Sequence, residues 1–137
     1  NITFADDSNA TTLKVNDTGR LQVRPSDGAV RVAGDITAFY SSDARLKKNI
    51  SPIKNALEKV SLISGNTFEW NEKTHNKGKE VGVIAQEVEQ LELPGVTTTR
   101  QDGTKAVRYE KLVPLLIEAI KELKVEINQL KANASVS

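Results

Sequence analysis

The pattern of hydrophobic positions changes character at Ser42. In residues 1–40 they fall in short alternating runs: Asn1-Ile2-Thr3-Phe4, Thr12-Leu13-Lys14-Val15, Leu21-Gln22-Val23, Val30-Arg31-Val32 and Asp35-Ile36-Thr37-Ala38-Phe39. A period of two predicts strands with one buried face. Between the runs stand Asn16-Asp17-Thr18-Gly19, Pro25-Ser26-Asp27-Gly28 and Ala33-Gly34, residue types that supply the positive or preset φ of tight turns. Together these strands hold too few large apolar side chains to bury a core, and a lone meander of this size is marginal in water. The expectation is a β-stranded segment that completes its core with other copies of itself. An ordinary small β-domain, cut short, is the alternative.

From Ser42 onward the period lengthens. Ile53, Ala56, Leu57, Val60 and Ile63 have the spacing of one helix face and predict an amphipathic helix over 50–63, with Ser51 as its cap, Pro52 at the first helical position and Gly65 just past its end. Thr67-Phe68-Glu69-Trp70 reads as a half-buried strand with Trp70 a core anchor, and Asn76-Lys77-Gly78-Lys79 as a polar turn. Glu80-Val81-Gly82-Val83-Ile84 reads as a buried strand passing into a short helix, Gln86 to Leu91, stopped near Pro94. Residues 96–100 and 104–109 flank Gln101-Asp102-Gly103, the strongest hairpin signal in the chain.

The last segment predicts one long helix from about Glu110 to Lys131, with Pro114 tolerated in its first turn. Tyr109, Val113, Leu116, Ile120, Leu123, Ile127 and Leu130 are spaced 4, 3, 4, 3, 4, 3, a heptad seam flanked by Glu118, Lys121, Glu122, Lys124, Glu126 and Lys131. For Leu112 to Leu116 docking on the chain's own sheet is expected; beyond Leu123, where the helix outruns a small domain, self-association is. Isoleucine at a and leucine at d is the dimer preference of isolated coiled coils.

Composition narrows the field. Nineteen basic and eighteen acidic side chains leave a formal charge of +1, which gives no electrostatic footprint for nucleic acid or an anionic membrane. No apolar run approaches the length that spans a bilayer. Without cysteine there is no disulfide framework and no thiolate nucleophile or metal ligand, and the compartment stays open. The chain opens on Asn1 rather than Met, which reads as a fragment of a longer protein.

Candidate chemistry is sparse. There is no phosphate-binding glycine loop, no pattern that implies a cofactor, and the single histidine, His75, lies in a polar turn and builds no metal site. What remains is a serine beside a lysine. A serine hydroxyl is a weak nucleophile until a base takes its proton, and a desolvated lysine can be that base. Ser42 and Lys47 are five residues apart, near enough for one turn to bring hydroxyl and amine together. On spacing alone, a solvated basic turn is the plainer account.

Ser42-Asp43-Ala44-Arg45-Leu46-Lys47-Lys48-Asn49-Ile50 resembles the signature that opens the C-terminal intramolecular chaperone domain of phage endosialidases, tailspikes and tail fibres. Further matches follow in order: the early helix ending in Leu62, Phe68-Glu69-Trp70, Val81-Gly82-Val83-Ile84-Ala85-Gln86-Glu87-Val88, and Tyr109-Glu110-Lys111-Leu112-Val113-Pro114-Leu115-Leu116. The resemblance covers residues 42 to about 131. It implies an α+β fold in which a β-stranded stalk end, residues 1–41, precedes a small mixed domain, 42–137, whose terminal helix forms a trimeric coiled coil through Leu116, Ile120, Leu123, Ile127 and Leu130.

The implied function is a homotrimeric assembly chaperone. It would guide the covalently preceding fibre stalk to fold, then release itself as a single-turnover Ser–Lys peptidase. Carried over, the nucleophile is Ser42, the base Lys47, and the scissile bond Ser41–Ser42. Lys48 is a rival base, and Asp43 and Arg45 position the turn. The implied location is a phage tail fibre or tailspike precursor assembled in the host cytoplasm, with the chaperone domain shed after cleavage. The alternative is a trimerisation or receptor-binding tip module that never cleaves and stays attached.

Overall fold

The computed structural model describes residues 21–24, 26 and 28–135, together with the backbone of 2–4 and 11–13. They divide into two compact units between Lys48 and Asn49.

The first unit holds two antiparallel hairpins. Strand β1 (Ile2–Phe4) pairs with β2 (Thr11–Leu13), with Ile2 opposite Leu13. Strand β3 (Leu21–Arg24) pairs with β4 (Ala29–Val32), with Leu21 opposite Val32 and Val23 opposite Val30. The turn between them closes where the Gly28 N–H donates to the Arg24 carbonyl at 2.9 Å, with Gly28 at φ +70°. That register gathers Leu21, Val23, Val30 and Val32 on one face of the ribbon and Gln22 and Arg31 on the other. Val23, Val30 and Val32 remain exposed, so the apolar face is uncovered among the described residues.

Two expectations for this unit need comment. The predicted turn at 16–19 lies outside the described residues. The predicted strand at 35–39 does not form: residues 35–43 join no ladder, and Phe39 is 96% exposed. Alternation marks which side chains share a face, but a strand also needs a neighbour for its N–H and C=O groups, and among the described residues none lies alongside.

The second unit is the small α+β module. Helix α1 (Ala56–Ser61) leads into strand β5 (Asn66–Glu69), which pairs antiparallel with β6 (Lys79–Gly82), Phe68 facing Glu80. Helix α2 (Ala85–Glu89) follows, then the hairpin of β7 (Thr97–Thr99) and β8 (Lys105–Val107). A single 3-10 turn, Tyr109–Leu112, opens into helix α3 (Val113–Ala134), 22 residues long with Pro114 in its first turn as expected.

The core is compact and aliphatic. Ala56 of α1, Val88 of α2, Leu91, Val96, Leu112, and Leu115 and Ala119 of α3 form its buried cluster, with Ile53, Leu57, Val60, Ile63, Val83, Leu93 and Val107 packed around it. Trp70 meets Phe68 edge-on, ring centroids 5.0 Å apart. The β7–β8 turn forms as its Asp-Gly sequence requires. Gly103 takes φ +82°, and the Asp102 carboxylate accepts the Thr104 N–H at 2.9 Å and its hydroxyl at 2.6 Å.

Two elements depart from expectation. Helix α1 begins at Ala56, so Ser51 and Pro52 stand outside it in the approach segment, while Ile53 still packs on the core. Its N-cap is Asn55, in the left-handed region at φ 53°, and its side chain makes no cap. The cap comes from α3 instead. Glu122 accepts the Ala56 N–H on Oε1 at 2.9 Å and the Leu57 N–H on Oε2 at 2.8 Å. Strand β6 also ends early, at Gly82, and is not buried as its apolar run suggested, Val81 being 76% exposed.

Candidate functional site

The segment from Ser42 to Lys47 is a single closed turn, and its sequence explains why. Asp43 is extended (φ −62°, ψ 131°), which aims its carboxylate forward along the chain, and Oδ1 accepts the Arg45 N–H at 2.9 Å. This is the N-cap geometry that aspartate favours, here on a 3-10 turn spanning Ala44–Leu46. The Asp43 carbonyl takes the Leu46 N–H and the Ala44 carbonyl takes the Lys47 N–H, each at 3.1 Å. The Arg45 guanidinium then folds back on the same carboxylate: Nε lies 3.1 Å from both oxygens and one terminal nitrogen 2.6 Å from Oδ2. The guanidinium contacts, and after them the backbone bond, hold the Asp43 carboxyl below its ordinary range, and the carboxylate raises Arg45 in return.

One turn long, this closure sets the chain ends apart by about the reach of a lysine. Lys47 Nζ lies 2.7 Å from Ser42 Oγ. The two residues singled out by spacing are therefore in hydrogen-bond contact, and both are exposed. Among the described residues no hydrogen bond links Lys48 to Ser42, and no carboxylate pairs with Lys47. Ser41 is exposed and irregular.

The contact has the atoms for one kind of chemistry. A hydroxyl oxygen 2.7 Å from an amine can pass its proton to that amine when the amine is neutral, which makes the oxygen nucleophilic. The peptide carbonyl nearest in covalent terms is that of Ser41. No other group in the described residues competes for this role. No cluster of three or more His, Cys, Asp or Glu side chains is placed to hold a metal ion among them, and His75 is exposed. An open groove between α1 and α3, lined by Asn55, Leu57, Glu58, Ser61, Glu122 and Glu126, gathers three carboxylates, but its one hydroxyl, Ser61, donates to the Glu58 backbone carbonyl rather than to a base. No helix of the described residues is long and apolar enough to cross a membrane.

The expected seam lies on α3 but not as one undivided surface. Leu112, Leu115, Ala119 and Glu122 face α1 and the core, while Val113, Leu116, Ile120, Leu123, Ile127 and Leu130 form the adjoining exposed stripe. Docking in the first turns is thus carried by Leu112 and Leu115, and Leu116 already belongs to the outer stripe. Tyr109, the first seam position, is tied elsewhere: its hydroxyl accepts the Val83 N–H at 3.2 Å.

Sequence reasoning missed Glu122 and Glu87 as organisers. Glu87 Oε2 accepts both the N–H and the hydroxyl of Ser64, each at 2.8 Å, pinning α2 to the entry of β5. In sequence each is one glutamate among several on a solvated helix face. No local pattern distinguishes them, because their partners lie 23 and 65 or 66 residues away.

Comparison with known proteins bears on the same segment. A family model described as chaperone of endosialidase matches residues 42–98. The long tail fiber protein Gp37 of Enterobacteria phage K3 is 30% identical over 148 residues, covering 96% of this chain and 12% of that protein. That of Enterobacteria phage T2 is also 30% identical, over 96% of this chain and 11% of its own length. The Salmonella phage S16 protein of the same name is 36% identical over 99 residues, 66% of this chain and 13% of the relative. The chain spans only about an eighth of the relatives it matches over nearly its whole length.

Proposed function

We propose that this chain, whose residues 42–98 match the chaperone-of-endosialidase family model, assembles a phage tail fibre as a trimer and then cuts itself free at Ser41–Ser42. The observation that carries the reading is the 2.7 Å contact between Lys47 Nζ and Ser42 Oγ at the start of the matched segment. Two uncovered apolar surfaces support the assembly half: the Val23, Val30 and Val32 face of the β3–β4 ribbon, and the outer stripe of α3 from Leu116 to Leu130. Both are satisfied by further copies of the same chain. A two-stranded ribbon is marginal alone, and a heptad stripe on a free helix surface is a self-association seam.

Assembly and cleavage are coupled through water. In the single chain Lys47 is exposed and its amine is open to water. Neighbouring copies that cover the turn favour the neutral amine. Neutral Lys47 then accepts the Ser42 hydroxyl proton as Oγ attacks the Ser41 carbonyl carbon. Collapse of the tetrahedral adduct breaks the Ser41 C–Ser42 N bond, and the Lys47 ammonium returns the proton to the departing nitrogen. The product is an ester of Ser41 on Ser42 Oγ, which water hydrolyses to a Ser41 carboxylate and a free Ser42 amine and hydroxyl. Removing the guide leaves the stalk without a path back to the separated chains, so its persistence becomes kinetic.

The exposure of Ser42 and Lys47 also favours a second reading, a trimerisation or tip module that stays attached. A denaturing gel with N-terminal sequencing separates the two. Autocleavage yields a fragment beginning at Ser42 from the native chain and none from Ser42→Ala or Lys47→Ala; an intact band in all three leaves the attached module. A dilute monomer that cleaves as fast as the trimer would remove the coupling to assembly.

A further inference from the structure

Asp43 presents a paradox for a lysine base. It lies one residue from Ser42, and a free carboxylate there is the natural ion-pair partner for the Lys47 ammonium. A lysine so paired keeps its proton and points away from the hydroxyl. Yet in the structure Lys47 is on Ser42, and both oxygens of Asp43 are taken by the guanidinium of Arg45 while Oδ1 also caps the turn.

We infer that Arg45 is a shielding residue, whose guanidinium occupies the Asp43 carboxylate and so keeps Lys47 on Ser42 and free to lose its proton. This rests on the Ser42–Lys47 reading of the site and gives Arg45 a role distinct from closing the turn, because the Oδ1 to Arg45 N–H cap needs no arginine side chain. Two features of arginine suit it. The planar fork fills two carboxylate oxygens at once, and the guanidinium does not titrate in the working range, so the shield holds wherever the lysine changes charge. The charged groups of the turn are Asp43, Arg45, Lys47 and the neighbouring Lys48; no other carboxylate among the described residues pairs with Lys47 or Arg45. The Asp43–Arg45 pair is exposed, so its loss acts on Lys47 through screened charge.

The test reads Lys47 directly in the intact chain. In a Ser42→Ala background, where no cut is possible, the Lys47 side chain is followed by nitrogen-detected NMR across alkaline pH. Arg45→Ala is expected to raise its titration midpoint by about 0.2–0.7 pH unit, the size of an exposed pair interaction. Adding Asp43→Asn, which keeps a capping oxygen without the charge, is expected to return it. With Ser42 restored, the pH of half-maximal cleavage follows the same order. An unmoved midpoint in Arg45→Ala overturns the shield, as does a shift that Asp43→Asn fails to reverse. Absence of any Ser42-dependent fragment counts instead against cleavage itself, and the NMR arm still decides the role of Arg45.

Discussion

A Cβ added to Gly82 would lie 2.5 Å from the Tyr109 hydroxyl and 3.2 Å from Cε1 of Phe68. The end of β6 is bare because a tyrosine from the turn before α3 occupies the space a side chain would need, with its oxygen on the Val83 N–H. This contact ties the β5–β6 hairpin to the base of the long helix.

Gly82→Ala is therefore expected to destabilise the module by about 1–3 kcal/mol, the usual range for overpacking. Tyr109→Phe removes the obstructing oxygen and one hydrogen bond at a cost of about 1 kcal/mol. In the double variant the two losses are expected to add to less than their sum. Urea unfolding of the four proteins measures this, and strict additivity would contradict the contact.

The two faces of α3 are expected to answer differently to substitution. Leu115 is fully buried, and Leu115→Ala should cost about 2–5 kcal/mol of module stability. Ile120→Glu with Ile127→Glu lies on the exposed stripe. It should leave helix content near native by circular dichroism while shifting sedimentation towards the monomer. Each charge removes an apolar contact worth about 1.5–3 kcal/mol, or tenfold and more in association.

Hydrogen bonds from Leu57 and then Ala56 hold the Glu122 carboxyl below its ordinary value. A carboxylate depressed in the folded state lends stability that is complete above its unfolded value, about 4.3, and that disappears as pH falls through the lower folded value. Acid below about pH 4 should thus loosen α1 from α3 in the native chain. Glu122→Gln should flatten that part of the stability curve, while lowering the plateau at neutral pH. Equilibrium unfolding at a series of pH values checks both, and an unchanged acid slope would exclude the cap as its source.

The Asp43 carboxylate, at once cap and charge, gives a last expectation. Asp43→Ala removes both the cap and the charge, whereas Asp43→Ser keeps a capping oxygen alone. Ser and Asp are comparable caps, and losing one costs about 1 kcal/mol. If cap geometry sets the Ser42–Lys47 distance, Asp43→Ala should slow cleavage by about fivefold or more, the population effect of about 1 kcal/mol, and Asp43→Ser should restore most of it. Timed denaturing gels on the native chain and both variants measure the difference.

Elements whose causes are local were legible in the sequence. The β7–β8 hairpin followed from Asp102-Gly103, the approach of Lys47 to Ser42 from their spacing, and α3 from its period, with Pro114 tolerated in the first turn. Elements whose causes are distant were not. Ser51 and Pro52 look like a helix start, but α1 begins at the amides that Glu122 can reach, and nothing near residue 56 announces a partner on α3. One heptad seam was visible where the helix carries two adjoining stripes, because 112, 115, 119 and 122 repeat with the same 3 and 4 steps as 113, 116, 120 and 123. The pairing of Arg45 with Asp43 was masked by proximity, since two residues in one motif read as a unit whatever each does.

The cap on α1 also sets an order in time. Ala56 and Leu57 are made early, and the carboxylate that accepts their N–H groups is made 65 residues after Leu57. While the chain is still being translated, α1 has neither its cap nor the Leu115 and Ala119 surface on which it rests. A nascent chain ending short of residue 122 therefore carries an unfinished module, and protease sensitivity at residues 49–61 should fall abruptly only once α3 has left the ribosome.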